Sequence, residues 1–120
     1  MEQKYIVGDI FMVDNQPRKV TWIGASFPRV EIDGVDVACK NSDLKPIPLT
    51  PEILEKNGWK ENKGDYINDS NHLHLCGKYD GYSVYKVVND YNVVWLTCVR
   101  NVSDLQHLLF GLGLNSEMEV

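Results

Sequence analysis

Leu44-Lys45-Pro46-Ile47-Pro48-Leu49-Thr50-Pro51-Glu52-Ile53-Leu54-Glu55-Lys56-Asn57-Gly58-Trp59 (LKPIPLTPEILEKNGW) separates two β-rich segments, and its reading decides how they are joined. Pro46 and Pro48 fix their own φ and push Lys45 and Ile47 away from helix, so Leu44 to Leu49 must be extended. A proline cannot donate to a β ladder, which restricts any strand here to an edge. Thr50-Pro51-Glu52 then reads as a helix start: a hydroxyl N-cap, proline at the first helical position and an acid near the positive end of the dipole. Leu49 before the cap and Leu54 in the first turn fit a hydrophobic staple. Asn57-Gly58 predicts the stop, with Gly58 in the left-handed position and Trp59 folding back on the last turn. The joint is apolar and stiff, unlike a flexible linker, and implies two segments packed together as one protein.

Outward from the joint, residues 1–49 hold four short β candidates (residues 9–13, 18–24, 29–33 and 35–39), a polar turn at Asn41-Ser42-Asp43 and a last short strand at 44–47. Val20, Trp22 and Gly24 alternate with Lys19, Thr21 and Ile23, and core packing is the expectation for Trp22. This order predicts a bent sheet or SH3-like barrel, an architecture that hosts many unrelated functions. Residues 50–120 read as an α+β unit. After the short helix come an extended stretch at 59–67, strands at 72–76, 82–88 and 91–99, and a final helix. Ser103-Asp104-Leu105-Gln106 has the form of a capping box. Leu105, Leu108, Leu109 and Leu112 recur at helical spacing, as in a helix packed on the preceding meander.

The chain has 120 residues, 43% hydrophobic and 24% charged, which suits a globular protein and excludes wholesale disorder. A formal net charge of −5 argues against non-specific binding to nucleic acid or anionic membranes. No apolar run approaches the ~20 residues a membrane helix needs. The first residues lack a signal-peptide pattern, and Cys39, Cys76 and Cys98 are an odd, widely spaced set. Together these predict reduced, mostly buried thiols and a cytoplasmic location.

The KPIPLT joint (Lys45 to Thr50), the helix end carrying Ile53, Leu54, Gly58 and Trp59, and the C-terminal DLQHLLF stretch with Leu105, Gln106, Leu108 and Phe110 together resemble a family of small proteins from gut-bacterial genomes and their prophages or mobile elements. The resemblance spans most of the chain and is weakest over residues 60–81. It implies a setting and no mechanism, since no activity is attached to that family.

Chemistry-bearing patterns are few. His72, His74 and Cys76 stand at i, i+2, i+4, so on a strand they share a face and offer nitrogen and sulfur donors to zinc, with His107 or Cys98 as a fourth ligand. The plainer reading is an alternating strand with Leu73 and Leu75 inward and the histidines in water. A flat strand also spaces i and i+2 side chains about 6.5 Å apart, wide for one ion. No phosphate loop, dinucleotide fingerprint or nucleophile elbow occurs, no Cys-His pair is marked by an orienting partner, and no cofactor is expected.

Tyr66, Tyr79, Tyr82, Tyr85 and Tyr91 crowd the second segment and form a candidate binding face, tyrosine being favoured at interfaces. The plainer alternative puts Trp59 and Trp95 in the core and the tyrosines over sheet edges. In the first segment Tyr5, Trp22 and Phe27 are candidates to line a groove, and Arg18, Lys19, Arg29, Lys40 and Lys45 make it less acidic than the whole. The function expected from these features is a non-enzymatic protein–protein interaction module, binding a partner or itself. The alternatives are a nucleic-acid-binding accessory protein using the barrel and, more weakly, a metal-assisted enzyme at the His72-His74-Cys76 strand.

Overall fold

A computed structural model describes residues 6–23, 27–78, 81–90 and 92–120. The fold is α+β: among the described residues it has antiparallel sheets of four and five strands, together with two helices. The chain divides into two compact units, one running to Pro48 and taking up Val102–Met118, the other formed by Leu49–Asn101 with Glu119–Val120. The division after Pro48 falls within the Leu44–Trp59 stretch, and the C-terminal helix groups with the first unit and not with the meander. No described helix is long and apolar enough to cross a membrane.

In the first unit β1 (Ile10–Val13), β2 (Gln16–Ile23), β3 (Pro28–Ile32) and β4 (Val35–Ala38) form a meander in sequence order. Val13 opposite Gln16 and Ile32 opposite Val35 leave two-residue loops, Asp14-Asn15 and Asp33-Gly34. All four loop residues have positive φ, between 50° and 82°, the type I′ geometry whose twist matches the flanking strands. Phe11, Val13, Val20, Val30 and Leu44 make the core, with Ile23, Ile32 and Cys39 against it.

Trp22 departs from expectation. The ladder steps from Val20–Val30 to Trp22–Arg29, so Thr21 is an extra residue in a β-bulge. A bulge reverses the alternation beyond it. Val20 is therefore fully buried, while Trp22 turns to the opposite face beside Arg29, whose guanidinium lies 5.6 Å from the ring centre.

After the 3₁₀ turn Asn41–Asp43 the chain returns to β1, and Met12 and Lys45 exchange hydrogen bonds of 2.8 and 3.0 Å. That is a single bridge, and the described strands are not closed into a barrel. Helix α1 (Pro51–Lys56) belongs to the other unit; the helix here is α2 (Val102–Gly111), which buries Val102, Leu105 and Leu109. It starts one residue before Ser103, so Ser103 is not its cap. Gln106 is buried and acts elsewhere: its amide oxygen accepts from the Ile10 N–H (2.9 Å), and its amide nitrogen donates to the Gly8 (2.9 Å) and Ser116 (3.1 Å) carbonyls.

In the second unit α1 (Pro51–Lys56) follows the expected design. The Thr50 hydroxyl accepts from the Ile53 N–H at 3.3 Å and Pro51 opens the helix. At the other end Gly58, at φ 87°, donates to Glu55, and Trp59 donates to Leu54, the paired bonds of a Schellman motif. Leu49, Leu54 and Trp59 are all buried.

The stretch at 59–67, expected to be extended, is a hairpin: β5 (Lys60–Asn62) and β6 (Asp65–Asn68) around Lys63-Gly64, both at positive φ. A 3₁₀ turn at Asp69–Asn71 leads to β7 (Leu73–Lys78), β8 (Gly81–Asn89) and β9 (Asn92–Val99), completing the order β5-β6-β7-β8-β9.

Candidate functional site

The register of the five-stranded sheet sorts its side chains onto two faces, because residues opposite each other in a ladder point the same way. Tyr66, Leu75 and Val84 line up across three strands and are buried, as are Leu73 and Val99. The other face carries Ile67–His74–Tyr85–Trp95 as one row and Cys76–Ser83–Cys98 as the next. Continuing the β6–β7 register by one step sets Asp65 opposite Cys76.

Three donors meet on this second face. One oxygen of Asp65, one nitrogen of His74 and the sulfur of Cys76 all lie within 4.8 Å of one another, and all three residues are half-buried. His74 Nε2 is 3.2 Å from Asp65 Oδ2. His72 does not join them. It caps the 3₁₀ turn in the left-handed conformation, at φ 57°, and the strand begins only at Leu73. The turn captures it because Asn68 accepts from the Asn71 N–H and the His72 N–H bonds back to Asp69.

The other expected ligands are placed elsewhere. Cys98 is exposed, with its sulfur 3.6 Å from the Ser83 hydroxyl. His107, in the first unit, is 2.6 Å from a carboxylate oxygen of buried Asp9. Burial pushes the Asp9 carboxyl above its ordinary value, while the His107 contact and the Ile6 N–H oppose that rise.

Among the described residues, Tyr66, Tyr82 and Tyr85 do not share one surface. Tyr66 is buried and meets Tyr82 edge-on with ring centres 6.2 Å apart, while Tyr85 faces the opposite way. Burial, followed by nearby glutamates, raises the phenol of Tyr66; burial does the same for Tyr82. Tyr5, Tyr79 and Tyr91 lie outside the described residues.

What the sequence did not single out is the end of the β8–β9 ribbon. Strand β7 accompanies β8 as far as Lys86, and the Val87 N–H still reaches the His72 carbonyl at 2.8 Å. Beyond that, among the described residues, no third strand runs beside Val88, Asn92 and Val93. Val88, Val93, Val94 and Trp95 are each at least half-exposed (50–60%), so apolar side chains stand on both faces of the ribbon. Trp95, expected in the core, is outward because Leu96 is an extra residue between the Val84–Thr97 and Tyr85–Trp95 pairs. Strand β9 is also the sheet edge and has no strand partner on its outer side among the described residues.

In the first unit a surface depression is lined by Thr21, Trp22, Arg29 and Asp36. Phe27 and Trp22 are both about half-exposed (51% and 49%).

Comparison with protein-family models, with curated proteins and with solved structures finds no match.

Proposed function

We propose that the protein is a non-enzymatic interaction module that adds a β-strand along the free edge of β9, and that the strand it takes is β9 of a second copy. The observation that carries this is the composition of that edge. Asn92-Val93-Val94-Trp95-Leu96-Thr97-Cys98-Val99 contains no charge, no proline and no glycine, and its first half is apolar on both faces. Exposed edges are ordinarily blunted by lysine, proline or short length, because unpaired N–H and C=O groups recruit other strands. Here the edge has none of these, and the ladder is interrupted only by irregularities at Leu96 and, on β8, at Val88. A partner strand gains main-chain hydrogen bonds from such an edge and apolar contact from the ribbon. An uncharged strand opposed to itself brings no like charges together, and a two-fold pairing closes as a dimer. The resemblance of the KPIPLT joint and the DLQHLLF helix supports a prophage or mobile-element setting for such a module.

The test is sedimentation or light scattering over a concentration series at moderate salt. A concentration-dependent dimer is expected, and Val94→Lys, which sets like charges near the centre of the paired edges, should weaken it by at least about tenfold. A monomer at every concentration, or a dimer indifferent to Val94→Lys, overturns the proposal.

A second reading rests on Trp22 and Arg29. An exposed indole under a guanidinium, with a second exposed aromatic, Phe27, in the same unit, suits single-stranded nucleic acid. The order of four strands, 3₁₀ turn and return to β1 supports an SH3-like unit as its carrier. Binding that weakens steeply with salt and is lost in Trp22→Ala would favour it.

A further inference from the structure

We infer that Asp65, His74 and Cys76 form a zinc site, independent of the strand edge. The inference rests on where two adjacent strands put three different donors. Antiparallel pairing of β6 with β7 sets Asp65 across from Cys76 and diagonal to His74, all on the same face. The spacing of two histidines and a cysteine along one strand is too wide for one ion. Here only two ligands share a strand, His74 and Cys76, and their donor atoms converge to within 4.8 Å, while the third comes from the neighbouring strand. A tetrahedral zinc with bonds of about 2.0 Å to nitrogen and oxygen and about 2.3 Å to sulfur holds its ligands roughly 3.3–3.7 Å apart. Asp65 and His74 already stand at 3.2 Å, and all three donors lie within 4.8 Å, close to the spacing one ion requires.

The donor types select the ion. Calcium and magnesium take oxygen ligands, whereas a thiolate with an imidazole and a carboxylate suits zinc. Binding releases the Cys76 thiol proton to solvent and takes His74 as the neutral imidazole, so the site carries two negative charges against a divalent cation. Half-burial leaves the fourth position to water. His74 then exchanges its contact with Asp65 for a metal bond, and both side chains turn toward the ion.

Cobalt(II) is the probe, because cobalt–thiolate charge-transfer absorption reports sulfur ligation and the visible bands report tetrahedral geometry. Full-length reduced protein should take up one equivalent, and zinc should displace it. Cys76→Ser should abolish the charge-transfer band. Asp65→Asn and His74→Ala should each weaken binding by about tenfold or more, as loss of a ligand does. His72→Ala and Cys98→Ser should leave both band and affinity unchanged. A readout that needs no substitution is alkylation of the wild-type protein: zinc should slow modification of Cys76 and not of Cys98. A charge-transfer band that survives Cys76→Ser, uptake far below one equivalent, or alkylation of Cys76 indifferent to zinc overturns the inference.

Discussion

Asp9 and Gln106 show how single polar side chains hold the first unit. Asp9 is buried, and burial is the largest influence on its carboxyl, which is raised above 3.8. An acid with a raised folded value binds more protons in the native than in the unfolded state between its two values. Its contribution is therefore full below 3.8 and is lost as pH rises through the folded value. Asp9→Asn keeps an acceptor for the Ile6 N–H and removes the buried charge. The variant's thermal midpoint, relative to wild type, should rise as the buffer goes from acidic to neutral; a variant-minus-wild-type difference that falls toward neutral pH would contradict this. Gln106→Leu leaves a buried N–H at Ile10 and two carbonyls without their partner. At about 1–3 kcal/mol for each buried group stranded, a loss of roughly 3 kcal/mol in denaturant unfolding is expected, with faster exchange of the Ile10 amide.

Among the elements, α1 was the most legible in the sequence, because each of its signals is local: the Thr50 cap, Pro51 at the first position, and the Gly58 stop. Leu54 is fully buried, so Leu54→Ala should cost about 2–5 kcal/mol. At Gly58 no atom lies within 4 Å of an added Cβ, so Gly58→Ala carries only the left-handed strain, roughly 1–2 kcal/mol. Equal losses at the two positions in denaturant melts would contradict this account.

The strands were legible as strands, but their faces were not where a bulge intervened. Thr21 and Leu96 each insert one residue, and each turns a tryptophan outward that strict alternation assigns inward. A bulge is written in the pairing of two strands and has no signature in either alone. The same limit governs the candidate metal site. His74 and Cys76 could be read from alternation within β7, whereas Asp65 comes from a different strand and becomes visible only with the register. His72 was misplaced because a 3₁₀ turn of Asn and Asp residues competes successfully with the first position of the strand.

At the scale of the molecule, the first unit is discontinuous, built from the chain before Pro48 and from Val102–Met118. Helix amphipathicity announced that α2 would be buried, but the pattern of Leu105 and Leu109 does not say against which sheet. The tie of Gln106 to Gly8 and Ile10 decides it. A chain ended after Asn101 should therefore lose protection of Ile10–Val13 in hydrogen exchange, while Leu73–Lys78 and Gly81–Asn89 keep theirs. Retained protection of Ile10–Val13 would show that the first sheet stands without the helix.

The hydrogen bond from Ile10 to Gln106 spans 96 positions. During synthesis at about 5–20 residues per second, β1 leaves the ribosome roughly 5–20 seconds before the glutamine that completes it. Every residue of β5 to β9 is made within that interval. The last helix thus sets when the first unit can be completed, and β5 to β9 are all synthesised before that moment.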